Sequence, residues 1–223
     1  MLTHMSIEVH ELVVFPGPDG SAGNPLGVIL DGGAVTDRQR LATELNYSET
    51  VFVDDATTGA IQIFTPATEL PFAGHPTVGT AWLLAREHAP VNALRPPAGT
   101  VTVRYEPPLT WVTARPEWTP AFDFRQLNSV AEVDAYEQPE SGHIYVWAWI
   151  DEAAGVVRSR SFPVDMGIAE DEATGAAAIA LVGRLGRRLE IHQGVGSVLL
   201  ANPTGDGAVE LGGRVAFVRR FSR

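Results

Sequence analysis

The chain has 223 residues, 45% of them hydrophobic, enough to bury a sizeable core as one large domain or two small lobes. A formal net charge of -11 repels phosphate backbones and anionic lipid surfaces, which argues against nucleic-acid binding and against a basic membrane-surface role. The absence of cysteine excludes disulfides, thiolate metal sites and cysteine nucleophiles.

The opening stretch MLTHMSIEVHELVVF carries Glu8 and Glu11 within its apolar run and lacks a basic segment. No secretion signal is expected there, and Met5 offers a second start. No apolar run approaches the ~18–20 residues of a membrane span, so a soluble, cytoplasmic protein is the expectation. Residues 8–15 and 25–30 predict strands on either side of the turn-forming PGPDGSAGN. Residues 36–46 (TDRQRLATELN) predict an amphipathic helix capped by Thr36, with Leu41 and Leu45 one turn apart. ETVFVDD (49–55) and AIQIFT (60–65) alternate like a hairpin, and an apolar helix follows over about 75–88.

The Pro/Gly cluster LRPPAG (94–99) reads as a linker. Beyond it, TVTVRYE and TWVTAR predict strands, and residues 116–142 an irregular segment. HIYVWAWI (143–150) is apolar on both faces, as in a central strand or a subunit contact. A second small-residue helix is expected over about 173–186, followed by strands at 188–192, 196–201 and 208–219. At an offset of 101 residues Gly74 falls on Gly175 and Glu69 on Glu170. The pattern suggests two lobes, 1–93 and 94–223, each wrapping strands around one helix, with the last strand free to return to the first lobe.

Two helix N-termini facing one cleft would form an anion site, and glycines at 74 and 175 would let a ligand oxygen approach the backbone. The same glycines equally suit helix packing. Gly74-His75-Pro76 opens the first helix, with Pro favoured in the first turn. His75, at the positive helix end, would be pushed toward its neutral form; the alternative is a buried imidazole bonded to a backbone carbonyl. Ser48 and Glu49 stand where a helix ends and an apolar strand begins, so Glu49 could carry a raised pKa and act as an acid–base group or simply be a solvated carboxylate. In AEDEAT (169–174) at least two of the three acids would only complement the helix dipole. His4, His10, His88, His143 and His192 show no metal-ligand spacing and receive no role.

Taken together, GNPLGVIL (23–30), NYSETVFV (46–53), FTPATELPFAGHPTVGTAWLL (64–84), EDEATGAAA (170–178) and HQGVGSVLL (192–200) resemble the phenazine-biosynthesis isomerase family (PhzF-like), which shares the diaminopimelate epimerase fold. The resemblance implies an α+β fold of two pseudo-symmetric lobes, each a curved sheet or barrel around a central helix. It implies a homodimer that needs no cofactor and no metal, acting on a small, anionic substrate. Carried over by motif, Glu49, His75 and Asp171 would be catalytic, and Ser48, Gly74, Gly175 and Ala176 would bind substrate. Ala176 departs from the family's common T-G-S, which removes a hydroxyl expected beside the substrate, and the chain is shorter than typical members. Epimerases of this fold use two facing cysteines, which this chain lacks. The expected activity is a proton shift on a small carboxylate-bearing metabolite, like that of trans-2,3-dihydro-3-hydroxyanthranilate isomerase, with Glu49 taking a proton and returning it on the same face. A binding protein without catalysis, or a lyase or cyclase using the same site, are the alternatives.

Overall fold

Period-two burial starts the chain. In the computed structural model, which describes residues 6–223, β1 (Glu8–Val14) turns Leu12 and Val14 into the main core, where they meet Leu26 and Val28 of β2 (Asn24–Ile29). Met5 and His4 lie outside the described residues. The other face of β1 packs Val9 with Ile29 and Leu41 beneath α1 (Arg38–Leu45). The side chain that caps α1 is Asp37, which accepts from the Arg40 N–H, and not Thr36. A carboxylate one residue closer to the first helical turn takes the bond first.

β3 (Glu49–Asp55) and β4 (Ala60–Phe64) form the expected hairpin, followed by β5 (Glu69–Leu70) and α2 (Gly74–Glu87). Next come β6 (Ala93–Leu94), β7 (Val101–Glu106), β8 (Leu109–Ala114), β9 (Asp123–Gln126) and α3 (Val130–Asp134). The cluster at 94–99 is less a free linker than a pinned one. Arg95 donates its N–H to Gly59 O at 2.7 Å and accepts from the Ile61 N–H at 3.3 Å. The segment 116–142 is also more ordered than its composition suggests, because β9 pairs in parallel with β10 (His143–Asp151). β10 is a central strand, flanked on its other side by β11 (Val156–Pro163). The chain then forms α4 (Gly175–Leu185), β12 (Leu189–Gln193), β13 (Ser197–Pro203), β14 (Val209–Gly213) and β15 (Val215–Ser222).

The last stretch, expected as one strand over 208–219, is two strands in two different sheets. One sheet runs β15-β1-β2-β3-β4-β5 and the other β6-β7-β8-β14-β13-β12-β11-β10-β9. α2 is buried nearly all round, against β1, β2 and β3 of the first sheet and β8 and β14 of the second, as its continuous apolar composition requires. α4 lies against β13, β14 and α2. One apolar core joins the lobes: Val51 and Ile63 from the first sheet, Leu83 and Ile179 from the helices, Leu199 and Leu211 from the second sheet.

Candidate active site

Two chain segments deliver the two carboxyl groups. Asn46 ends α1 in the left-handed conformation, φ 55°, which Asn tolerates, and the chain re-emerges at Ser48 and Glu49 as the start of β3. Buried Val51, Phe52 and Val53 anchor that strand and leave the Glu49 side chain only 13% exposed. In the second lobe, Asp171 donates its backbone N–H to Ser161 O at 2.9 Å, which ties the loop before α4 to β11. Neither α2 nor α4 has a side-chain N-cap, because Ala73 has no acceptor and the Thr174 hydroxyl donates elsewhere. That donation goes to Asp171 Oδ2 at 2.6 Å.

Asn24, fully buried at the start of β2, connects the groups. Its Nδ2 donates to Asp171 Oδ1 at 2.7 Å and to Ala173 O at 3.0 Å, and lies 3.4 Å from His75 Nδ1. Its Oδ1 accepts from Ser48 Oγ at 3.1 Å. Gln193 supports the other side: Nε2 donates to Thr174 Oγ1 at 2.8 Å and to Asp171 O at 2.9 Å, while Oε1 accepts from the Tyr145 hydroxyl at 3.2 Å. Glu172 points away and accepts from the N–H groups of Val195 and Gly196 and from Ser197 Oγ. Glu170 pairs with Arg160. The two acids expected to serve only the helix dipole therefore hold loop 194–197 and β11, and α4 has no acid in its first turn.

Burial dominates the electrostatics. It drives the Glu49 carboxyl well above its usual range, and the nearby Asp171 charge adds to the effect. Burial also raises Asp171, while the bonds from Thr174 and Asn24 oppose the rise. Two close buried carboxyls cannot both ionise cheaply. Asp171 has a donor on each oxygen and Glu49 Oε2 has none, so the hydrogen bonds favour charge on Asp171 and the proton on Glu49. Burial lowers His75 to about 3. Loss of hydration thus exceeds the helix end as the cause, and His75 and Glu49 form a neutral contact rather than an ion pair. His75 Nε2 and Glu49 Oε2 approach to 3.2 Å without hydrogen-bond geometry, and both atoms are buried without a partner.

Glu49 and Asp171 open onto a cavity of about 340 Å³ between the lobes. Its first-lobe wall includes Leu70, Phe72 and Ala73, and its second-lobe wall Trp118, Phe122 and His143, with Thr174 and Ala176 at the end of α4. This is the apolar concavity with a few converging polar groups that small-molecule sites favour. A larger groove of about 660 Å³ lies elsewhere, among His10, Asp37, Arg40 and Arg220, and the buried carboxyl pair does not line it.

Ser48, Gly74, His75 and Gly175 stand behind the cavity wall rather than on it. His75, carried over by motif as catalytic, backs Glu49 and does not line the cavity. The glycines face each other. A Cβ on Gly74 would lie 2.8 Å from the Gly175 backbone, and one on Gly175 would lie 2.9 Å from Gly74 Cα. The space they leave open is filled by the opposing helix. His143, to which the sequence pattern assigns no role, lies on the wall with its ring 4.1 Å from that of Phe122. Asn24, Gln193 and Thr174, to which the residue pattern assigns no role, hold this hydrogen-bond network together. Asn24 and Gln193 sit inside the quoted stretches GNPLGVIL and HQGVGSVLL, so motif membership was the one available signal. Among the described residues no group of three or more His, Asp or Glu side chains is placed to hold a metal ion. Nor is any described helix long and apolar enough to cross a membrane.

Comparison with known proteins agrees with this architecture. The family model for phenazine biosynthesis-like proteins (PhzC-PhzF) matches residues 18–132. A trans-2,3-dihydro-3-hydroxyanthranilate isomerase of Pseudomonas chlororaphis is 32% identical over 225 residues, covering 78% of this chain and 81% of that protein. An uncharacterized isomerase of Pasteurella multocida is 46% identical over 71 residues, a match spanning 29% of this chain and 25% of the relative. The crystal structure of a PhzC/PhzF protein from Clostridium difficile superposes with a TM-score of 0.77 at 20% identity, covering 96% of this chain and 98% of that one. A hydroxyproline epimerase from Agrobacterium vitis shares the fold at a TM-score of 0.64 and 12% identity, covering 100% and 93% of the two chains. The two-lobed, epimerase-like fold is thus accompanied by sequence similarity along most of the chain, and the protein belongs to the PhzC-PhzF family of phenazine biosynthesis-like proteins.

Proposed function

We propose that the chain is a cofactor-independent isomerase that moves a proton on a small, carboxylate-bearing, unsaturated metabolite, as the name of the Pseudomonas chlororaphis relative suggests. The observation that carries this reading is Glu49: a buried carboxyl that retains its proton, on the wall of an apolar cavity, beside a charged Asp171. Because Glu49 starts protonated, it acts first as an acid and not, as the motif alone suggested, as a base. Its proton passes to one carbon of a conjugated system, and the π electrons shift. The C–H bond at a second carbon on the same face then breaks, and that proton returns to Glu49. No proton is gained or lost overall. Asp171 stabilises positive charge that develops on the substrate between the two transfers. Where the uncapped ends of α2 and α4 reach the cavity, at Ala73 and Ala176, backbone N–H groups would serve a substrate carboxylate.

The test is trans-2,3-dihydro-3-hydroxyanthranilate incubated with the protein in D₂O and followed by NMR. Conversion with deuterium at carbon is expected. Glu49→Gln should lower turnover at least about a hundredfold, within the range of general acid–base catalysis, while ligand binding stays measurable. Near-normal turnover in that variant would remove Glu49 from its role. Ala176 on the cavity wall, in place of the family's hydroxyl, favours a second reading in which the cleft binds a metabolite without catalysis. Binding with no carbon-bound deuterium would establish that one.

A further inference from the structure

We propose that Asn24 is a positioning residue that decides which of two buried carboxyl groups carries the proton. Its amide holds Asp171 as the anion and so leaves Glu49 as the acid. The inference rests on the reading of Glu49 as the proton carrier.

The hydrogen-bond pattern carries it. Asn24 Nδ2 faces two acceptors, Asp171 Oδ1 at 2.7 Å and Ala173 O at 3.0 Å, and both its hydrogens are used there. Its Oδ1 receives the Ser48 hydroxyl at 3.1 Å. A flipped amide would set carbonyl oxygen against carboxylate and carbonyl, so the orientation has one satisfied solution. On the other oxygen of Asp171, Thr174 donates at 2.6 Å. The Thr174 oxygen is itself an acceptor for Gln193 Nε2 at 2.8 Å, which commits its hydrogen to Asp171. A proton on Asp171 would therefore confront a donor on either oxygen. Glu49 Oε2 has no such donor and faces the unpartnered Nε2 of a neutral His75.

The other ionisable groups around Asp171 are committed. Glu170 is held by Arg160, Glu172 by loop 194–197, and burial keeps the Tyr145 phenol protonated. Asn24 acts from β2 in the first sheet, whereas Asp171 belongs to the loop before α4. The charge state of the site thus depends on a contact made only when the lobes are together.

The experiment is a pH titration of the carboxyl C=O stretch by difference infrared spectroscopy, with Glu49→Gln and Asp171→Asn assigning the two bands. In the parent protein the band that persists to higher pH should vanish in Glu49→Gln. In Asn24→Ala the Asp171 midpoint should rise by about one to two pH units, as loss of one hydrogen bond to a charged group implies. The acid limb of kcat/KM should follow it. Asn24→Leu, close in volume and without a donor or a charge, should shift the midpoint in the same direction if the alanine variant does not fold. An unchanged Asp171 midpoint in a folded variant, even one of lower thermal stability, would reduce Asn24 to a structural tie and overturn the proposal. A shifted midpoint in a protein that exchanges no carbon-bound proton would leave the positioning role standing and remove the isomerase reading instead.

Discussion

Glu49 is a carboxyl group that the fold keeps dry, and a dry acid leaves a mark on stability as well as on chemistry. Its folded-state pKa lies well above the ordinary 4.5. The unfolded chain gives up this proton near the ordinary value and the folded chain retains it to higher pH. The contribution to stability is therefore complete below about 4.5 and is lost as pH rises through the folded value, at up to ~1.4 kcal/mol per pH unit. Glu49→Gln removes the penalty and should melt higher than the parent protein at pH 8, with a smaller difference at pH 5. For a chain of this size each ~1 kcal/mol is ~2–4 °C in Tm. Calorimetry at the two pH values checks it, and a lower Tm for the variant at pH 8 would contradict the burial assigned to Glu49.

The helices α2 and α4 begin at one point, with Gly74 and Gly175 back to back. A single methyl group at either position meets rigid backbone, so Gly175→Ala should push the two helix ends apart. A loss of ~1–3 kcal/mol is expected in urea denaturation, as for other overpacked cores. Glu49 and Asp171 should then move relative to each other, so turnover should fall with stability. The local pattern made both helices and the start of β3 legible, because apolar periodicity and a helix-ending Asn need only neighbours in sequence. Glu49 and Asp171 were legible through their motifs. Asn24 was not, since its partner Asp171 is 147 positions away. Trp118 and Phe122 were hidden in a segment whose Pro and Gly content reads as loop; Trp118 reaches the cavity against Phe72, and Phe122 just before β9 pairs with β10. The break between β14 and β15 follows Gly212-Gly213, but which sheet each half joins is set by partners far away in sequence.

Across the whole molecule, the two-lobed plan does not divide into two independent pieces. The apolar core is continuous through α2 and α4, and β15 from the second half of the chain completes the first sheet. Residues 1–93 made alone would leave the β1 edge bare, and residues 94–223 would carry an unpartnered β15. Neither half should show cooperative unfolding, whereas the intact chain should show one transition, coincident by tryptophan fluorescence and circular dichroism. Separate transitions in the intact protein would show that the lobes are autonomous. Arg223 and Ile7 exchange backbone hydrogen bonds at 2.8 and 2.9 Å, and Glu8 pairs with Ser222. On the ribosome, then, β1 waits for β15. The first lobe cannot close its sheet until β15 has emerged, and Asn24 cannot reach Asp171 until the loop before α4 has done so. Assembly of the candidate site is therefore governed by contacts far apart in sequence and lags behind synthesis of the first lobe.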